Sequence, residues 1–96
     1  MRSRKPTLVG DVLKEFFARP YIAAKVAEGK LPETWRAVVG DQVADVTSEI
    51  RLENHILHVR IGSSLLRQEL FYQREALKEE LNRRSGVRFI NAVIVR

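Results

Sequence analysis

The segment Thr47-Ser48-Glu49-Ile50-Arg51-Leu52-Glu53-Asn54-His55-Ile56-Leu57-His58-Val59-Arg60-Ile61-Gly62-Ser63-Ser64 is where the apolar period of the chain changes. Ile50 and Leu52 alternate with Glu49, Arg51 and Glu53. After Asn54-His55, the residues Leu57, Val59 and Ile61 alternate with His58 and Arg60. A period of two sends successive side chains to opposite faces of a strand, so the segment predicts a β-hairpin with one buried face.

Beyond the hairpin, Gly62-Ser63-Ser64 supplies a turn and a hydroxyl N-cap. The helix it opens is expected over about Leu65 to Arg84, with Leu66, Leu70, Leu77 and Leu81 on one side. Gly86 closes that helix, and Arg83 and Arg84 suit its negative carboxyl end. Val87 to Val95 is rich in β-branched residues and predicts a third strand that pairs with the hairpin.

Before the hairpin the spacing is three to four. Thr7 caps an expected helix through Leu8, Val12, Leu13, Phe16 and Phe17, which Arg19-Pro20 ends. Tyr21 to Glu28 predicts a second helix, and Gly29-Lys30-Leu31-Pro32 a break in which Pro32 opens the next turn. A third helix runs through Trp35, Val38 and Val39. Gly40 either ends it or lets another segment pack close, since Val43, Ala44 and Val46 continue the apolar spacing. The order of helices, two strands, long helix and strand is that of an α+β domain.

Ninety-six residues sustain one core, because a chain of this size buries only roughly 60 to 65% of its unfolded surface. Hydrophobic residues at 45% and charged residues at 30% are ordinary for a globular protein. The absence of cysteine removes disulfides, thiolate ligands and a cysteine nucleophile, and fits a reducing compartment. The basic start, Met1 to Pro6, leads into an amphipathic stretch with neither a signal core nor a spanning run. The expected location is therefore the cytoplasm, without a membrane partner. Residues 1 to 6 read as a disordered basic arm and residues 7 to 96 as the single domain.

The net charge of +5 favours phosphate polyanions or acidic protein surfaces as partners. Residues 1 to 30 carry seven Lys or Arg against three acids, residues 31 to 55 two against five, and residues 56 to 96 eight against four. An acidic middle between basic ends is what two differently charged faces, or chance clustering in a short chain, would produce. Arg67, Arg74 and Lys78, at spacings of seven and four, lie on one side of the long helix, with Arg83, Arg84 and Arg88 at or beyond its end. Glu75, Glu79 and Glu80 interleave, so the face reads either as solvated ion pairs or as a phosphate-tracking surface to which Arg84 also belongs. Arg2, Arg4 and Lys5, on the arm, are candidates for nonspecific nucleic-acid contact. No aromatic residue alternates with basic ones on the strands as a stacking platform would require; Phe89 is the one aromatic in the expected strands.

Nothing in the sequence assembles a catalytic or cofactor site. His55 and His58 lack cysteine partners and a carboxylate set to complete a metal shell. Ser63 and Ser64 have no nucleophile-elbow context, and Gly62 belongs to no phosphate-binding loop. Trp35 reads as core at helical spacing from Val38 and Val39, with a partner-binding anchor as the alternative. The expectation is a protein that is not an enzyme, with no cofactor, no metal and no small-molecule substrate.

The pattern Trp35-x-x-Val38-Val39-Gly40, then Ile56-Leu57-His58-Val59-x-Ile61-x-Ser63-Ser64, then Gln68-Glu69-Leu70 with Leu77, Leu81 and Asn82 following, resembles the DciA family over about Leu8 to Val95. Trp35, Val39, Gly40, Leu57, Val59, Ser63, Ser64, Glu69 and Leu70 are the family-motif positions here and read as structural; it is their order and spacing together that carry the resemblance. The resemblance implies a KH-like domain, with helices on one face of a three-stranded sheet. It further implies a non-enzymatic adaptor that binds the bacterial replicative DNA helicase and assists its loading, with auxiliary nonspecific DNA binding. Leu66 stands where many members carry an aromatic residue. The chain also stops at Arg96 without the long extension, associated with DNA binding, that many members possess. No Gly-x-x-Gly loop of the kind that KH domains use on single strands is present. A stand-alone KH-like module for RNA or single-stranded DNA is therefore the alternative reading.

Overall fold

A computed structural model describes residues 14, 15 and 18 to 96. Of the expected helix through Leu8 to Phe17 only Lys14 and Glu15 are described, both helical; the rest of it and the arm bearing Arg2, Arg4 and Lys5 lie outside the described residues. Five helices and three strands follow, in the order α1 (Pro20–Gly29), α2 (Leu31–Val39), α3 (Asp41–Asp45), β1 (Thr47–Glu53), β2 (Ile56–Ile61), α4 (Ser64–Tyr72), α5 (Arg74–Ser85) and β3 (Ala92–Val95).

The hairpin forms because each strand offers an apolar row to the same side. Ile50 pairs with Val59 and Leu52 with Leu57 across the antiparallel β1/β2 ladder. On the other edge of β2, Leu57 pairs with Val93 and Val59 with Val95 in parallel. Paired residues share a face, so β2 is the central strand, and Leu57, Val59 and Ile61 are essentially fully buried. Asn54 and His55 form the two-residue turn with φ of 54° and 65°, the left-handed pair that a tight hairpin requires. His55 adopts this strained conformation while its Nδ1 lies 3.1 Å from the Phe89 carbonyl and its own carbonyl accepts from the Asn91 amide at 2.7 Å.

A bulge at the start of β1 decides which side Thr47 faces. Thr47 pairs with buried Ile61, yet Glu49 pairs with exposed Arg60; Ser48 is the extra residue. In a regular strand Thr47 and Glu49 would share a face. The bulge instead turns Thr47 inward, where its Oγ1 accepts from Trp35 Nε1 at 3.0 Å and donates to the Val43 carbonyl at 2.8 Å. That relay ties α2 and α3 to the edge of the sheet, and the indole is buried.

Pro32 sits in the first turn of α2, and Gly40 ends it at φ 90°, ψ 165°. An added Cβ at Gly40 would meet nothing within 4 Å. The glycine is therefore used for its backbone angle rather than for close packing. Helix α2 packs against α5, whose Leu77 and Leu81 join Leu70 of α4 over the sheet. Each such leucine stabilises by roughly 1.5 to 3 kcal/mol on burial, against about 0 to 1 for a surface ion pair. The apolar layer holds the fold together.

Two sequence expectations need correction. The single helix from Leu65 to Arg84 is two helices that break at Gln73, with φ −102° and ψ 15°. The Gln73 amide is shared between the carbonyls of Glu69 and Leu70, and the Phe71 carbonyl accepts from Arg74 Nη1 at 2.8 Å. The strand expected from Val87 is confined to Ala92–Val95. Phe89 and Ile90 are both buried, which the alternation of a strand does not allow for neighbours. Buried Asn82 holds this irregular segment: its Oδ1 accepts from the Phe89 and Ile90 amides at 3.1 and 3.0 Å, and its Nδ2 donates to the Ile90 carbonyl at 3.0 Å.

Candidate functional site

The cations expected to track phosphate meet different surroundings. Ser63 caps α4, its Oγ accepting from the Leu66 amide at 3.3 Å, and this sets the helix so that Arg67 turns back to β2. Arg67 Nη1 donates to the Ile61 carbonyl at 2.8 Å. Seven residues on, across the break at Gln73, the Arg74 guanidinium lies over the Phe71 ring, 4.1 Å from its centroid.

Lys78 and Arg84 are already neutralised. Lys78 Nζ lies 2.8 Å from Glu75 and 3.7 Å from Glu79, and its side chain is only 16% exposed. The hydrogen bond that the ammonium donates to Glu75 raises its pKa above the ordinary range, against the opposing effect of burial. Arg84 Nε lies 2.9 Å from Glu80, which also accepts from Arg83. The Arg83 hydrogen bond is the chief cause that holds the Glu80 carboxyl down at about 2, with Arg84 adding to it. Arg88 reaches Glu79 at 3.1 Å. The structure thus brings Arg74 together with an aromatic ring and assigns Lys78 and Arg84 to an ion-paired face.

Beside Phe71, with ring centroids 5.9 Å apart at an angle of 66°, stands Tyr72, which is 70% exposed. These two aromatics were not among the expected site residues. The signal for them is that neither falls on the Leu66, Leu70, Leu77, Leu81 stripe, so the core has no use for either ring. Phe89, the aromatic considered for the strands, lies outside them and is buried.

Behind this corner is a groove of about 230 Å³, lined by Val38, Val39, Val43, Leu66, Glu69 and Leu77 among others. Leu66 faces this groove, and exposed Glu69 is on its rim. Trp35, Leu57, Val59 and Leu70 are core, Ser63 is a cap, and exposed Ser64 is the first residue of α4. The His55 ring is engaged at the Phe89 carbonyl, and His58 Nδ1 is buried without a hydrogen-bond partner. Among the described residues no three His, Cys, Asp or Glu side chains cluster as a metal site would require.

Residues 8 to 95 match the family model described as "Dna[CI] antecedent, DciA". The chain belongs to the DciA family. Two curated proteins of Mycolicibacterium smegmatis, named "UPF0232 protein" and "UPF0232 protein in recF-gyrB intergenic region", are each 39% identical to it over 62 residues. The matched part is 65% of this chain and 32% of each relative, so the chain spans about a third of the length of the curated relatives it matches. No solved structure matches. In this DciA-family chain no described helix is long and apolar enough to cross a membrane.

Proposed function

We propose that this DciA-family chain is a non-catalytic, cytoplasmic adaptor of bacterial DNA replication that binds the replicative helicase and assists its loading, with auxiliary, sequence-nonspecific DNA binding. The family match over residues 8 to 95 carries this reading, because family membership suggests a helicase-loading role that a fold by itself would not specify. The side chains best suited to chemistry have structural duties that support a binding role: Ser63 caps a helix, and His55 pins the hairpin tip to Phe89. Capture of the cognate replicative helicase on the immobilised full chain is the direct test. A complex at micromolar protein is expected, and its absence would refute the adaptor role.

The nucleic-acid half of the reading is electrostatic. Affinity for DNA should fall with salt by a log-log slope of about −0.7 to −0.9 per phosphate contacted. Removal of residues 1 to 5, with Arg2, Arg4 and Lys5, should flatten that slope by about one to three units and leave helicase capture intact. A second reading, a stand-alone KH-like module for RNA or single-stranded DNA, is favoured by the mixed sheet with β2 at its centre and by the exposed aromatic corner. Preference for RNA over DNA at matched salt, without helicase capture, would select it.

A further inference from the structure

Arginine and tyrosine at the surface are ordinary when the arginine has a carboxylate and the tyrosine packs its ring. Neither holds at the α4–α5 corner. Tyr72 is 70% exposed and Phe71 46%, a large apolar area to leave in water without a partner. The two rings meet edge to face, so Phe71 steadies Tyr72 while the Tyr72 ring stays open to solvent. On its own side Phe71 carries the Arg74 guanidinium at 4.1 Å.

The arginines are pre-positioned by groups that leave their charge available. Arg74 uses one donor on the Phe71 carbonyl and Arg67 one on the Ile61 carbonyl; neither has a carboxylate within ion-pair distance among the described residues. A guanidinium has five N–H donors, so most of each fork remains for a second acceptor. Arg74 contacts the Phe71 ring, and Arg67 is placed one helical turn before Phe71 on α4. Nearby Glu75 is engaged by Lys78.

We infer that this corner is a contact for single-stranded nucleic acid, in which an unstacked base lies on Tyr72 and the neighbouring phosphates are met by Arg67 and Arg74. The inference rests on the nucleic-acid half of the proposed function and gives it a place. An open aromatic face suits an unpaired base, because bases within a duplex are already stacked on one another. Guanidiniums that make no ion pair among the described residues complement phosphate, and the chain's net charge of +5 adds long-range attraction. Tyr and Arg are also the residue types of protein hot spots, so the test includes the helicase.

The experiment is a titration of labelled oligothymidylate, and of a duplex of equal length, against the full chain at several salt concentrations. Helicase capture and thermal melting are measured in parallel. Single-stranded DNA should bind more tightly than duplex. Tyr72→Ala should weaken single-strand binding about 5- to 100-fold without changing the salt slope, and Tyr72→Phe should retain it. Arg74→Ala should instead flatten the slope by about 0.7, the signature of one lost phosphate contact on a single strand. Melting and helicase capture should match the unaltered protein for all three. If Tyr72→Ala binds oligothymidylate as well as the unaltered chain does, the inference falls while the proposed function stands. Loss of helicase capture with oligonucleotide affinity intact would make the corner a protein anchor and overturn the inference. If the unaltered chain binds no oligonucleotide at any salt, the nucleic-acid half of the proposed function falls with it.

Discussion

Between Lys78 and Arg88, every Lys or Arg on α5 or just beyond it is met by Glu75, Glu79 or Glu80, whereas at the α4–α5 corner Arg67 and Arg74 are met by carbonyls and a ring. Both regions are basic in sequence and both are helical. They differ in what stands one turn away. A carboxylate at three or four residues along a helix neutralises a cation locally; a break at Gln73 replaces that partner with a carbonyl and an aromatic face. Count of positive charge is thus a poor guide to where a polyanion would be met, and the local partner decides.

Aromatic residues offer the sharpest contrast between the two kinds of surrounding. Trp35→Ala should cost about 3 to 5 kcal/mol, because a buried indole is removed and Thr47 loses its donor. Tyr72→Ala should change stability by about 0.5 kcal/mol or less. Denaturant unfolding of the two variants would measure this difference, and a comparable loss in both would mean that the corner is part of the core.

Asn82 tests whether the ion-paired end of α5 depends on its buried side. Asn82→Ala leaves two amides and a carbonyl without partners, at about 1 to 3 kcal/mol per unsatisfied group, so a loss on the order of 3 kcal/mol is expected. Amide exchange should rise first at Phe89 and Ile90. Unchanged protection there would show that the segment is held by packing alone.

If carboxylates are what silence the α5 cations, releasing them should expose new phosphate contacts. Glu80→Gln frees Arg83 and Arg84, and the salt slope of DNA binding should steepen by about 0.7 to 0.9 for each arginine that then finds a phosphate. Arg84→Ala in the otherwise native chain should leave the slope unchanged. A flattening with Arg84→Ala would place Arg84 in the DNA contact despite its ion pair.

The smallest effect is the pH dependence of that same cluster. Glu80 is held at about 2, below the ordinary 4.5 that the unfolded chain would show. On acidification the unfolded chain therefore takes up this proton first. The contribution is fully present above about pH 4.5 and is lost as pH falls through about 2. Carboxyl titration followed by NMR should find the Glu80 midpoint near the lower value, and Glu80→Gln should abolish the difference between neutral and acid melting that this group supplies.

Much of the fold was legible. Alternation of apolar and charged side chains fixed the hairpin and its buried face, and the leucine stripe fixed the side of α4 and α5 that covers it. Gly40 was legible as a boundary, but whether for its angle or for close packing was not, since that depends on the space around its Cα. The candidate corner is legible only in part: helical spacing places Arg67 and Arg74 on one side, while Phe71 and Tyr72 carry no such signal, because a stacking platform is expected on strands rather than at a helix end.

By itself, then, the sequence determined the α+β order, the inward rows of β1 and β2, the cap at Ser63 and the excess of positive charge, all of which depend on neighbours within a few positions. Only the tertiary structure decided the break at Gln73, the irregular path from Val87 to Asn91 and the division of the cations into paired and unpaired sets. Neither glycine nor proline marks Gln73. The path past Phe89 is set by Asn82 across the turn, through hydrogen bonds that sequence periodicity cannot register. Charge pairing is a matter of ångströms between side chains, and helical spacing gives only the opportunity for it: Lys78 and Arg84 take theirs with Glu75 and Glu80, while Arg74 turns to Phe71.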